Sequence, residues 1–139
     1  MAFLPNIVAA VTALALGFIW YHPKVFGTIW MRAAGINPDP KNINFPIMIL
    51  VSLLVPFVIS MPLAYQVSHP EEHLAPFVHG FYHGAMYMGL MVATPIVALN
   101  SYYENRGWSH FLVHAGYWVV TLGTMGGVLA MFYKPGADM

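Results

Sequence analysis

Six of the seven histidines in this chain fall in pairs four residues apart: His69/His73, His79/His83 and His110/His114. Residues at that spacing share a helix face, so each pair could offer two imidazoles to one metal ion. The most polar run in an otherwise apolar stretch is His79-Gly80-Phe81-Tyr82-His83-Gly84. Just before it stand His69, Glu71, Glu72 and His73. With His79 they could bind a divalent ion through two imidazoles and a carboxylate. The candidate metal ligands are therefore His69, His73, His79 and His83. The competing reading is a polar loop followed by a histidine that hydrogen-bonds between helices. Pro70 and Pro76 favour it, because they break the regular spacing a ligand set would need. The chain has no cysteine, which removes disulfides and thiolate metal sites. It contains no Ser-His-Asp set, phosphate-cradling glycine loop or pair of catalytic carboxylates, so the reading leans away from an enzyme. No cofactor is predicted.

The elements that position these residues belong in a membrane. Of the 139 residues, 59% are hydrophobic and 7% charged, against roughly a quarter charged in a soluble domain. Four apolar runs cover about residues 3–20, 43–65, 74–99 and 109–133, each long enough to cross ~30 Å of hydrocarbon as a helix. The ~10-residue alternating segments of a membrane barrel are absent. Backbone groups in lipid must pair within their own segment, which requires helices. The expected fold is all-α: one membrane domain over 1–139, with four transmembrane helices and a short interfacial helix at about 23–34. The first run lacks a basic leading region and is read as a retained helix, not a signal peptide. Pro46, Pro56 and Pro62 fall in the second span and Pro95 in the third, where interior prolines bend helices. Such bends serve either packing or the shaping of a cavity.

Lys24, Arg32 and Lys41 follow the first span and Arg106 follows the third, whereas Lys134 alone lies on the other side. Basic loops stay in the cytoplasm, which places both termini outside, in a membrane expected to be the bacterial inner one. Trp20, Tyr21, Trp30, Tyr102, Tyr103 and Trp108 gather at the predicted inner interface, where amphipathic rings prefer to sit. This topology also separates the histidines. At 1.5 Å per residue, His83 and His114 stand ~16 Å apart along the membrane normal, and neighbouring helix axes add ~8–10 Å. Metal–imidazole bonds are only ~2 Å, so one metal or haem does not join the two pairs within a chain unless a helix is strongly tilted.

Two kinds of stripe run along the third and fourth spans. Gly80 and Gly84, and then Gly116, Gly123 and Gly127, are small residues that let helix backbones approach closely. His83, Tyr87 and Thr94 form one polar row, and His114, Tyr117, Thr121 and Thr124 another, which could face each other along a polar path. A helix bearing two stripes has two surfaces to cover, which favours a homo-oligomer or larger complex. The alternative is that the glycines only pack the four helices of one chain.

After the first span, Trp20-Tyr21-His22-Pro23 leads into Phe26-Gly27, Trp30 and Gly35. Pro23 suits the start of a short helix, and Gly35 suits its end. Val25, Phe26, Ile29 and Trp30 fall on one side of it, as in a helix lying in the interface. Arg106 is expected at the inner headgroups, with Glu104 capping or pairing with the basic first loop. With Asn100, Glu104-Asn105-Arg106, Gly116-Tyr117 and Met125-Gly126, this pattern resembles the family catalogued as domain of unknown function 1761. The resemblance covers most of the chain and implies a small four-span membrane protein with no assigned activity. In that family's pattern Ser is common where His22 stands and Asn where His114 stands, which implies that neither histidine is needed as a ligand.

Zero net charge and the lack of a basic cluster exclude nucleic acid as a partner, leaving the lipid bilayer and other membrane chains. The leading functional expectation is a non-enzymatic oligomeric or accessory membrane component. A small-solute or ion channel or transporter is the alternative, and a histidine-based metal- or haem-binding protein is a further one.

Overall fold

The computed structural model describes residues 2–35, 43–69 and 73–133. Among them all regular structure is helical. Helix α1 (Leu4–Trp20) is followed by a turn at Tyr21 and His22 and by α2 (Pro23–Ala34), bent 48° from α1. Helix α3 spans Phe45–Val67, α4 spans Pro76–Tyr103 and α5 spans Trp108–Ala130. The helices α3, α4 and α5 are long and apolar enough to cross a membrane, and α1 with α2 makes up to a fourth such segment. This is the all-α membrane bundle expected from composition. Lys41, Pro70, Glu71, Glu72 and Lys134 lie outside the described residues.

Local chemistry sets the helix boundaries. Pro5, Pro23, Pro46 and Pro76 each stand in a first turn, where a missing N–H loses no bond and a fixed φ is already helical. Pro46 is therefore a helix starter and not an interior bend. The Asn44 side chain accepts from the Ile47 N–H at 3.2 Å and caps α3. Gly35 ends α2 at φ 66°, the left-handed conformation a β-carbon disfavours. Pro56 and Pro62 lie inside α3, which runs unbroken past both.

Helix α4 changes winding along its length. It is α-helical over Pro76–His83, π-helical over Gly84–Ala93 and α-helical again over Thr94–Tyr103. Pro95 sits where the wide stretch ends. Proline has no N–H to donate and its ring crowds the carbonyl one turn back, and a wider turn upstream accommodates both. The Thr94 hydroxyl donates to the Gly89 carbonyl at 2.9 Å, supplying a bond across this junction.

The helices gather around α5. Half of its apolar window is buried inside the chain, against 22% for α3 and 28% for α4. Helices α1, α2, α3 and α4 all pack on α5, and α3 packs mainly on α1. The core joins Ala9 and Ala13 of α1, Leu63, Ala64 and Val67 of α3, and Leu122, Met125, Leu129 and Ala130 of α5. It lies toward the end of the bundle remote from Tyr21. A buried hydrogen bond from Asn6 to Ser60, at 2.9 Å, ties α1 to α3 there. Ile47, Leu50, Leu54 and Val58 of α3 stay exposed, as lipid-facing positions of a membrane helix should.

Candidate functional site

Glycines bring the backbones of α4 and α5 into direct contact along a seam. A β-carbon at Gly80 would lie 2.0 Å from the Gly126 carbonyl oxygen, and one at Gly84 2.0 Å from that of Leu122. Both obstacles are backbone, which cannot step aside as a side chain can. Gly123 meets the Phe81 ring and Gly127 the Phe77 ring, each of which a β-carbon would overlap. Gly116 belongs elsewhere: it faces the Trp20 ring of α1. The small-residue stripes expected on α4 and α5 thus meet each other inside one chain. Sequence reasoning left Gly126 out of the packing set, although a β-carbon there would stand 2.2 Å from the Gly80 carbonyl oxygen. The adjacent Gly126-Gly127 pair was the available signal.

Beside this seam stand His79 and His83, their ring centroids 4.4 Å apart. His79 is 2% exposed, and neither of its ring nitrogens has a hydrogen-bond partner among the described residues. His83 is half-buried and touches Tyr82 and Tyr87, with centroids 5.9 and 5.1 Å away. Tyr82 and Tyr87 are 51% and 39% exposed, so a polar aromatic ladder faces outward from the membrane-crossing part of α4. His69 and His73 are exposed, and His69 shares a hydrogen bond with Ser68 at 3.1 Å. No group of three or more His, Asp or Glu side chains among the described residues is placed to hold a metal ion.

The second histidine pair lies at the opposite end and is well furnished. His114 Nδ1 shares a 2.7 Å hydrogen bond with the Tyr21 hydroxyl. His110 Nδ1 shares one with Ser101 at 3.3 Å, and its ring stacks on both Trp30 and His114. The Trp20 indole N–H donates to the Val113 carbonyl at 2.9 Å. These contacts tie the α1–α2 corner to the start of α5. Gly27 is required at that corner, because a β-carbon there would lie 2.1 Å from the Tyr21 carbonyl oxygen. His22 Nδ1 accepts from the Lys24 N–H at 3.1 Å, a helix-capping task that serine also performs. The Arg106 guanidinium donates to the Ala34 carbonyl, one of the unsatisfied acceptors at the end of α2. It also pairs with Glu104 at 3.6 Å. Arg106 was expected to reach for headgroups and Glu104 to serve the first loop. The short loop instead folds so that Arg106 caps α2 and Glu104 pairs with Arg106.

The two polar rows do not share a common lining. The hydroxyls of Thr94 and Thr124 donate to carbonyls of their own helices, Gly89 and Val120. Thr121 is 1% exposed, and the Tyr117 hydroxyl donates to the Ala13 carbonyl at 3.4 Å. Tyr117 alone of the seven polar-row residues borders the 390 Å³ cavity between α1, α3 and α5, together with Tyr21 and Ser52.

Neither the curated proteins nor the solved structures contain a match to this chain. The family described as "Protein of unknown function (DUF1761)" matches residues 4–130. That range includes the Trp20-Tyr21 corner, the Glu104–Arg106 loop and the Gly126 seam, so this membrane protein belongs to the DUF1761 family of unknown function.

Proposed function

We propose that this protein is a non-enzymatic component of the bacterial inner membrane that works as a homo-oligomer, joined through the exposed ladder of α4. The observation that carries this reading is the placement of Tyr82 and Tyr87, whose exposed rings flank His83 within a membrane-crossing helix. A hydroxyl facing hydrocarbon lacks the partners that water would supply. Polar side chains in that position commonly hydrogen-bond across helices. A second copy of α4 presents the same row, and a two-fold contact pairs a self-complementary patch with itself. With both termini outside, Lys24, Arg32 and Arg106 lie on the cytoplasmic side.

The natural absence of cysteine makes the test direct. Single cysteines at Val78, Tyr82 and Met91 on the exposed side of α4 are expected to give disulfide-linked dimers in native membranes. A cysteine at Val58 of α3 is expected to give none. A monomeric mass in lipid nanodiscs, with no cross-link from any α4 position, would overturn the proposal.

A further inference from the structure

We propose that the cleft between α1, α3 and α5 binds a neutral, lipid-soluble molecule whose planar ring carries carbonyl groups, the chemistry of a quinone. The site lies within one chain, so it does not depend on the α4 assembly proposed above.

The cleft follows from how α1 and α3 meet. Near Asn6 and Ser60 they are held together by a buried hydrogen bond and by the small Ala9, Ala13 and Ala64. Toward Tyr21 that contact gives way to a cavity of 390 Å³, with Pro56 and Gly17 among its walls. This volume lies within the ~300–1,000 Å³ of ordinary small-molecule sites. No charged side chain lines it, which disfavours a phosphate, carboxylate or ammonium group. Its walls include the rings of Phe18, Tyr21, Tyr117 and Trp118, suited to a planar ring by stacking and edge contacts.

Hydroxyl groups supply the polarity. The cleft is bordered by the phenols of Tyr21 and Tyr117 and by Ser52. Tyr21 is held in place by its 2.7 Å bond with His114. The Tyr117 hydroxyl's bond to the Ala13 carbonyl is long: 3.4 Å exceeds the ~2.5–3.0 Å of a well-formed O–H···O bond. That hydroxyl is the donor a ligand carbonyl can recruit. A few placed hydroxyls in an apolar aromatic cleft match a ring with carbonyls better than a bare hydrocarbon chain, which needs no donor.

The test uses the full chain in phosphatidylcholine nanodiscs, with a decyl-substituted benzoquinone as probe and tryptophan fluorescence as readout. Saturable quenching is expected, and decylbenzene, which has the tail and ring without carbonyls, is expected to leave it unchanged. Tyr117→Phe removes the available donor and should weaken binding about tenfold. Val55→Phe and Ser52→Phe, two independent ways of filling the cleft, should abolish saturable quenching while circular dichroism shows the helices intact. Quenching that rises linearly without saturation, equal displacement by decylbenzene, or undiminished binding in a folded Val55→Phe or Ser52→Phe protein would overturn the proposal.

Discussion

His79/His83 and His110/His114 have the same residue type and the same spacing, yet their surroundings are opposite. The first pair is pressed beside a seam where backbone meets backbone, and His79 is enclosed with both ring nitrogens unpartnered among the described residues. The second pair is bonded to Tyr21 and Ser101 and stacked on Trp30, at the corner where α1 turns into α2. Spacing of four residues gives a shared helix face and nothing more. What each imidazole does is decided by the helix that packs on that face. At one end His79 stands beside a glycine-lined seam and finds no hydrogen-bond partner among the described residues, and at the other the pair meets a corner rich in hydroxyls and indoles.

Substitutions can break this contrast, and the seam should be the most sensitive place. Gly80→Leu and Gly84→Leu drive a side chain into the carbonyls of Gly126 and Leu122. Each is expected to destabilise the chain by about 3 kcal/mol or more, seen as a large shift in the detergent-unfolding midpoint. Gly107→Ala, with nothing within 4 Å of the new methyl, should stay within about 0.5 kcal/mol of the parent. At the other end, Arg106→Ala frees the Ala34 carbonyl and should cost about 1.5–3 kcal/mol. Hydrogen exchange should report that loss chiefly in α2.

The histidines themselves should respond less, and differently. His114→Leu leaves the Tyr21 hydroxyl without its partner and should cost about 1–2 kcal/mol in the unfolding midpoint. His114→Asn keeps a polar partner at that position and should restore most of it. His79→Leu removes two unpartnered polar atoms from a closed site, so stability should change by no more than about 1 kcal/mol and can rise. A His79→Leu loss as large as that of His114→Leu would erase the distinction between the pairs.

Much of the fold is legible in the sequence because apolar length and helix-starting residues are local signals. Pro5, Pro23 and Pro76 open helices, Gly35 closes one, and the apolar runs match α1, α3, α4 and α5 to within a few residues. Pro46 was misread because a proline two residues into a helix and one ten residues in look alike until the boundary is known. Gly80, Gly84, Gly123 and Gly127 were legible as a packing surface, but their partner was not. Helical periodicity shows which residues share a face but not whose face opposes it. Gly126 and the Asn6–Ser60 bond escaped for the same reason, since each acquires meaning only from a residue more than forty positions away.

Composition and local pattern alone determined a membrane-embedded, all-helical chain without thiol chemistry, because hydrocarbon leaves the backbone no other way to pair over runs of this length. Tertiary structure decided that α5 is the hub, that the glycine stripes of α4 and α5 meet each other, and that Arg106 caps α2. It also decided that Tyr21 and Tyr117 border a common cleft. These are contacts between segments whose order in the chain says nothing of their rotation about their own axes, and that rotation is set only when all the helices pack at once.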